Sequence, residues 1–168
     1  AYYKTGSKEE IFFIGNRTGY TSLFKVNLKN KSKVVTVIEG ERTEDFEEFH
    51  FFRTGLDISS KGVLAFATKS GEADALHLFD VKTNKLITSF HFDHIVQIGS
   101  PAFTADGSSL VFPALDKSGK SDLYIFSIAD KNLTRLTNDY YDDRDPDISA
   151  DGKYIVFSSD RTSEGVNN

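Results

Sequence analysis

Acidic side chains crowd one short stretch of the sequence. In the segment 143–147, three aspartates alternate with other residues, a pattern of oxygen ligands found in calcium-binding loops. Ile148 stands where an EF-hand has its glycine, and Tyr154 stands where it has its glutamate. We therefore predict no metal and no cofactor here, and expect the carboxylates to pair with arginine. The three aspartates are Asp143, Asp145 and Asp147.

Other residue patterns that could support catalysis are weak. His91 and His94 resemble a metal pair, but on a strand their side chains would point to opposite faces. The sequence has no cysteine, which excludes disulfides, thiolate zinc sites and a cysteine nucleophile. It also lacks the G-x-S-x-G nucleophile motif and the glycine-rich phosphate motifs. We therefore expect a chain without catalytic residues of its own.

Composition narrows the class of protein further. The chain has 168 residues, 39% of them hydrophobic, and 20 basic against 25 acidic side chains give a net charge of −5. This is enough apolar material for the core of a single domain over residues 1–168. Clustered Lys and Arg are absent, so we expect no nucleic-acid partner. Apolar runs reach only about five residues, so we expect no membrane span.

The elements that position these side chains follow from internal repeats. A turn motif ends in glycine at Gly62, Gly107 and Gly152, at intervals of 45 residues, and an apolar strand follows each glycine. Glycine suits such tight turns because it reaches positive φ without a Cβ clash. A second apolar motif begins at Leu23, Leu76 and Leu123.

Each repeat predicts about four short strands, since β-branched and aromatic stretches alternate with turn residues. In the most complete repeat we expect strands at 99–104, 109–114, 122–127 and 133–137. A four-stranded unit repeated every ~40–50 residues predicts an all-β β-propeller, here with about 3.5 blades. The repeat boundaries are placed at 1–54, 55–98, 99–143 and 144–168, the last repeat being incomplete.

Several of these residues resemble the TolB-type propeller repeat (PD40 or WD40-like blades). The resemblance lies in Arg135-Leu136-Thr137, in the segment 146–152, in Ser158-Ser159-Asp160-Arg161, and in the Asp122-Leu123-Tyr124 motif. It implies a non-catalytic protein-binding or scaffolding module in the periplasm or cell envelope of a bacterium. The partners that it implies are proteins, including peptidoglycan-associated lipoproteins.

Two other functions remain open at this point. Similar propellers occur in prolyl-oligopeptidase-type enzymes, so the chain could be the part of a larger peptidase or hydrolase that gates access to a catalytic domain elsewhere. A third hypothesis is that the central channel binds a sugar or another small molecule. The innermost strand of each blade lines this channel, so the loops before it are the expected ligand face. We predict a polar mouth there, formed by Arg53, Asp143, Arg144 and Asp145.

One blade is longer than the others, and the extra residues fall in 39–53. This segment holds six acidic residues and four phenylalanines. The phenylalanines could pack between neighbouring blades while the acids face water. Alternatively, the segment could be a partner-binding lip with Phe46 and Phe49 as aromatic anchors, since aromatic residues rimmed by charge often anchor interfaces.

The repeat count predicts an open array of blades. A propeller needs at least four blades to close, so we expect the remaining blades to come from a longer chain or from another copy. Within the array, each blade should place one phenylalanine in the core between blades. These are Phe66, Phe112 and Phe157.

Overall fold

A computed structural model of the chain describes residues 1–17, 19–40, 46–50 and 55–161, with the backbone alone at 31 and 32. Over these residues the chain forms fifteen β-strands and no α-helix. Nothing in this part of the chain forms a helix of the length and apolarity needed to cross a membrane. The predicted all-β architecture is confirmed.

The strands form three meandering antiparallel sheets and one hairpin. The first sheet contains β1 (Tyr2–Thr5), β2 (Lys8–Asn16), β3 (Thr21–Asn27) and β4 (Asn30–Ile38). The second sheet contains β5 (Asp57–Ile58), β6 (Val63–Ser70), β7 (Ala73–Asp80) and β8 (Lys85–Phe90). Each sheet is one blade, and successive strands pair with their neighbours in sequence, as a blade requires.

The third sheet has a split innermost strand. Its strands are β9 (Ile95–Ile98), β10 (Ala102–Phe103), β11 (Ser109–Asp116), β12 (Ser121–Ser127) and β13 (Asn132–Arg135). Both β9 and β10 pair with β11, and the amide of Gly99 donates to the carbonyl oxygen of Pro113 at 2.8 Å. Pro101 interrupts the ladder because it has no N–H. The innermost strand predicted at 99–104 is therefore found as β9 and β10, and the repeat boundary at 98/99 stays a prediction.

The fourth unit is the terminal hairpin, formed by β14 (Asp143–Ile148) and β15 (Ile155–Ser159). A bulge lies between Arg144 and Asp147, and Asp145 within it has a φ of 50°. The hairpin packs against β11 and β12 of the third sheet. β14 begins one residue before the predicted repeat boundary at 143/144, which stays a prediction. Three sheets and a hairpin match the predicted array of about 3.5 blades.

The same turn joins the first two strands of the last three units. In each, a glycine amide donates to a carbonyl oxygen three residues earlier, at 2.9 Å in the second sheet, 2.7 Å in the third and 2.8 Å in the hairpin. The glycines adopt φ values of +85°, +69° and +70°, respectively, a region that side chains with a Cβ disfavour. They are the predicted Gly62, Gly107 and Gly152.

Two apolar cores lie between the sheets. Phe66 is fully buried between the first and second sheets, and Phe112 is fully buried between the second and third. Both predictions are confirmed. Phe157 was also predicted in a core, but it is only half-buried, and Arg161 lies over its ring at 5.6 Å. That prediction is wrong, because the hairpin offers two strands where a full sheet offers four.

Candidate functional site

In the second sheet, the third sheet and the terminal hairpin, the connection before the innermost strand lies next to the turn after the second strand. We call this end of a unit the loop end. Backbone amides tie the two together in the same way three times. The amide of Lys69 donates to the oxygen of Glu48 at 2.8 Å, and that of Lys117 donates to His94 at 3.0 Å. In the terminal hairpin, the amide of Asp160 donates to the carbonyl oxygen of Asp142 at 3.4 Å, and the amide of Asp142 donates back to the carboxylate of Asp160 at 2.9 Å. In the described residues, hydrogen bonds therefore join the connection to the neighbouring turn in these three units.

Arg161 organises the loop end of the terminal hairpin. Its guanidinium donates to both carboxylate oxygens of Asp143, at 2.5 and 3.1 Å, and also to Asp139. Asp143 is fully buried, and a bidentate contact of this kind is among the strongest that a carboxylate accepts. Hydrogen bonds to Asp143 and then Asp139 raise the pKa of Arg161, and the contact with Arg161 lowers the pKa of Asp139.

Arg135 builds a second ion pair beside the first. Its guanidinium contacts the fully buried Asp122 and lies 3.5 Å from Asp116. Its Nε donates to the carbonyl oxygen of Thr137 at 3.0 Å. The amide of Asp139 donates to Asp122 at 3.4 Å, which joins the two pairs. We call these residues the Asp–Arg network; its members are Asp122, Asp139, Asp143, Arg135 and Arg161.

The three carboxylates of the network approach one another closely enough to suggest a metal site. One oxygen of each lies within 4.8 Å of the others. The two guanidinium groups already occupy these oxygens and balance most of their charge, so the donor set does not fit a cation. Within the described residues, Asp145 and Asp147 do not join this cluster.

The predicted polar mouth does not form one surface. Asp143 is buried in the Asp–Arg network and serves as a structural partner of Arg161. The side chain of Arg144 is 67% exposed and pairs with Asp142 at 2.9 Å, while Asp145 is exposed at the bulge. Arg53 lies outside the described residues. The candidate ligand surface therefore keeps Arg144 and Asp145 but loses Asp143.

An exposed aromatic side chain, which sequence reasoning missed, adds to this surface. Tyr140 is 96% exposed, and the ammonium of Lys120 lies 5.4 Å from its ring centroid. Leu136 in the same connection is 42% exposed. Lys120 and Tyr140 are in contact, and we group them with the exposed side chains of this connection and of the start of β14 under the name Tyr140 patch. Its members are Lys120, Leu136, Tyr140, Arg144 and Asp145.

Two of the four phenylalanines of the longer connection lie in the described residues, and both pack inside the protein. Phe49 is buried and stacks on Phe66 at 5.7 Å, and Phe46 is half-buried with its ring 5.0 Å from that of His77. Both contact the core between the first and second sheets. The sequence left two alternatives open for these side chains, packing between blades or a partner-binding lip. In the structure they pack between blades. Phe49 is not accessible as an anchor on a lip in this conformation.

Two histidines have fixed environments. The imidazole of His77 is fully buried, with Nε2 2.7 Å from the hydroxyl of Thr68 and Nδ1 2.8 Å from that of Ser89. Burial lowers the pKa of His77 to about 4, so the ring is neutral at pH 7. His50 lies 2.8 Å from Asp74, and this hydrogen bond raises its pKa. His91 directly follows β8 and His94 directly precedes β9, so both lie at strand ends, as expected for ordinary histidines of a strand connection.

Similar proteins are found among solved structures. TolB from Acinetobacter baumannii is 21% identical with a TM-score of 0.64, and the match covers 92% of this chain and 37% of that one. A candidate TolB from Agrobacterium tumefaciens is 14% identical with a TM-score of 0.67, covering 92% and 50%. A puromycin-hydrolysing peptidase from Mycobacterium tuberculosis is 14% identical with a TM-score of 0.57, covering 77% and 19%.

These structural matches show a shared fold, and the chain spans half or less of the length of each of the three proteins. A family comparison is more specific. The model PD40, TolB beta propeller domain, matches residues 58–165. That range covers the second and third sheets, the terminal hairpin and every residue of the Asp–Arg network. The chain belongs to the TolB β-propeller domain family.

Proposed function

We propose that this chain is a non-catalytic protein-binding module of a bacterial periplasmic or cell-envelope protein, and that it binds through the Tyr140 patch. The observation that carries the proposal is the 96% exposure of the Tyr140 side chain. Tyrosine and arginine are enriched among residues that dominate binding energy at protein interfaces. A tyrosine ring also provides a large contact area with only two rotatable side-chain bonds.

The Asp–Arg network supports this role because it fixes the connection that carries the patch. Asp139 immediately precedes Tyr140 and is held by Arg161, and Arg144 immediately follows the buried Asp143. An interface whose loops are already ordered loses less conformational entropy on binding. The partner that we propose is a protein of the bacterial envelope, with a peptidoglycan-associated lipoprotein as the first to test.

Binding of the soluble domain of a peptidoglycan-associated lipoprotein to the immobilised chain tests this proposal. Tyr140→Ala and Arg144→Glu should each weaken the affinity by about tenfold or more, while unfolding curves stay unchanged. Ile87→Ala is the control, because Ile87 is 52% exposed on β8, outside the patch. Equal affinities for all four proteins would refute the role of the patch, and no binding at all would refute this partner.

The second candidate is the propeller portion of a larger peptidase or hydrolase that gates access to its catalytic domain. It is supported by the fold that this chain shares with the puromycin-hydrolysing peptidase. The gene sequence on either side of this segment discriminates the two, since a hydrolase domain beside it would favour gating. The purified chain should hydrolyse no peptide, ester or glycoside substrate under either hypothesis.

A further inference from the structure

Basic and acidic side chains are distributed unevenly between the sheets. Residues 1–38, which contain the first sheet, carry seven basic and two acidic side chains, whereas residues 39–168 carry 13 basic and 23 acidic ones. The lysines of the first sheet are spread from Lys4 to Lys33 in the sequence, and the hairpins of the sheet bring them toward one end. The fold therefore creates a basic surface that the sequence pattern did not predict.

This basic surface lies at the end of the sheets opposite the loop end, called here the turn end. It carries the turns that follow the first and third strands of a sheet, such as the turn between β3 and β4 and the turn between β7 and β8. The turn ends of the first two sheets adjoin at Gly62. A Cβ on this glycine would lie 2.6 Å from the hydroxyl of Tyr3 in β1 and 3.2 Å from the Cε of Lys82. The turn ends of both sheets therefore lie on the same side of the molecule.

Four lysines at this end are exposed and have no acidic partner among the described residues. Lys29 and Lys33 lie just before β4 and in its first half, respectively. Lys82 and Lys85 occupy the corresponding turn and the first position of β8. Within the residues that the structure describes, none of the four forms an ion pair. Their charge is therefore available to an external anion.

Exposed aliphatic side chains accompany these lysines on the outermost strands. Val35, two residues after Lys33, is 38% exposed, and Ile87, two residues after Lys85, is 52% exposed. Lysines beside exposed aliphatic side chains form an amphipathic surface, the kind that attaches to the headgroup region of a lipid bilayer. We call these six residues the lysine rim; its members are Lys29, Lys33, Lys82, Lys85, Val35 and Ile87.

The exposure of the lysine rim follows from the blade architecture. The second sheet packs between the first and the third, yet every residue of its turn at 82–85 is exposed. The equivalent turn of the third sheet is exposed as well, but there Lys131 is balanced by the neighbouring Asp130. Packing against neighbouring sheets therefore leaves these turns in water, and the excess of lysine is specific to the first two sheets.

We propose that the lysine rim binds an anionic membrane surface, with its ammonium groups close to lipid phosphates and its two aliphatic side chains at the depth of the headgroups. A lysine ammonium binds phosphate as a point charge and requires no fixed geometry. The rim extends over the edges of two sheets, so its charges match an extended array of phosphates better than one phosphate group. It contains no aromatic side chain on which a base could stack and no arginine for bidentate contacts, which favours lipid over a nucleic acid or an acidic protein.

The acidic loop end gives this contact a fixed orientation. The connection at 39–53 holds six acidic residues, and Asp139, Asp142 and Asp160 lie at the loop end of the terminal hairpin. An anionic membrane attracts the lysine rim and repels this end, so the Tyr140 patch faces away from the lipid and stays accessible. The proposal does not depend on the partner of the Tyr140 patch, because the two surfaces lie at opposite ends of the sheets.

Co-sedimentation with lipid vesicles tests this proposal. The chain should bind vesicles of phosphatidylcholine that contain about 30 mol% phosphatidylglycerol, and binding should fall as salt is added, because salt screens exposed charges. Vesicles of phosphatidylcholine alone should bind little of it. A double variant with Lys82→Glu and Lys85→Glu should lower the partition coefficient about tenfold or more, and so should a double variant with Lys29→Glu and Lys33→Glu.

A matched control carries the same change of charge at the loop end. A double variant with Lys117→Glu and Lys120→Glu, both in the turn between β11 and β12, should lower the partition coefficient by less than about threefold, because charges remote from the contact are screened by salt. Tyr140→Ala should bind vesicles as the unaltered chain does, and circular dichroism confirms that each variant is folded.

Three results would overturn the proposal. The first is the absence of binding to the anionic vesicles. The second is an equal loss for the loop-end control and the rim variants, since the attraction would then follow net charge and not a defined surface. The third is tighter binding to a DNA duplex than to the vesicles, lost in the rim variants, which would make the lysine rim a nucleic-acid surface.

Discussion

Replacing Phe112 by alanine tests the packing on which the blade assignment rests. Phe112 is fully buried between the second and third sheets, and Phe92 packs on it with ring centroids 5.9 Å apart. Truncation removes the ring and leaves a cavity that the flanking sheets can fill only in part. A buried Phe→Ala change costs about 3–5 kcal/mol, and the full burial of Phe112 places it within this range.

The same change at Phe157 is a matched control. Phe157 occupies the equivalent strand position, two residues after Ile155, as Phe112 lies two residues after Leu110. It is only half-buried, so it loses less apolar contact, and the space left behind is open to water. We expect Phe157→Ala to cost about half as much as Phe112→Ala or less, because the hydrophobic free energy scales with the apolar area removed from water.

Urea denaturation followed by circular dichroism measures both effects as changes in the free energy of unfolding. In thermal unfolding, 3–5 kcal/mol corresponds to a loss of about 6–20 °C in Tm for a domain of this size. An unchanged transition for Phe112→Ala would refute the core between the sheets. Equal losses for both variants would show that Phe157 is packed as fully as Phe112, which contradicts its half-buried position.

Two further perturbations test the charged and titrating groups. Arg161→Ala should lower the free energy of unfolding, because it leaves the buried Asp143 carboxylate without its cation; urea denaturation checks this, with Arg161→Lys as the control that keeps the charge, and an unchanged denaturation midpoint for Arg161→Ala would contradict it. The folded-state pKa of His77, about 4, lies below the usual 6.5, so the unfolded state binds the extra proton and stability falls as the pH drops from about 6.5 to 4, by about 3 kcal/mol in total. NMR titration of the imidazole measures this pKa directly, and a value near 6.5 would remove the prediction.

The internal repeat made the fold predictable from the sequence, and the limits of the repeat pattern explain the errors in that prediction. The glycines at 62, 107 and 152 recur at 45-residue intervals and occupy the same positive-φ turn, so turn chemistry and spacing agree at all three sites. The innermost strand of the third sheet begins at Ile95 rather than at the predicted position 99, because Pro101 splits this strand without ending its pairing with β11. In the sequence alone, a proline that interrupts the hydrogen-bond ladder cannot be distinguished from a proline that ends a strand.

The site was harder to predict because its contacts join distant parts of the chain. Asp143 looked like a surface carboxylate in an acidic run, but Arg161, 18 residues later, buries it. The motif residues Asp122 and Arg135 did carry a signal, since both belong to the repeat signature, but the signature does not say that they pair. Nothing in the sequence indicates that Tyr140 is exposed, because a tyrosine in an acidic loop can equally well pack against the sheet.

Burial of Asp143 and exposure of its neighbours have a common cause. Successive side chains of a strand point to opposite faces, so fixing the Asp143 carboxylate on Arg161 turns Arg144 outward, where its side chain is 67% exposed. The hydrogen bonds of Asp139 similarly fix the backbone next to Tyr140. The buried ion pairs therefore contribute less by their net energy, which desolvation largely offsets, than by orienting the residues beside them. Substitutions in the Asp–Arg network should weaken partner binding even in molecules that stay folded, because they release the Tyr140 patch without altering its side chains.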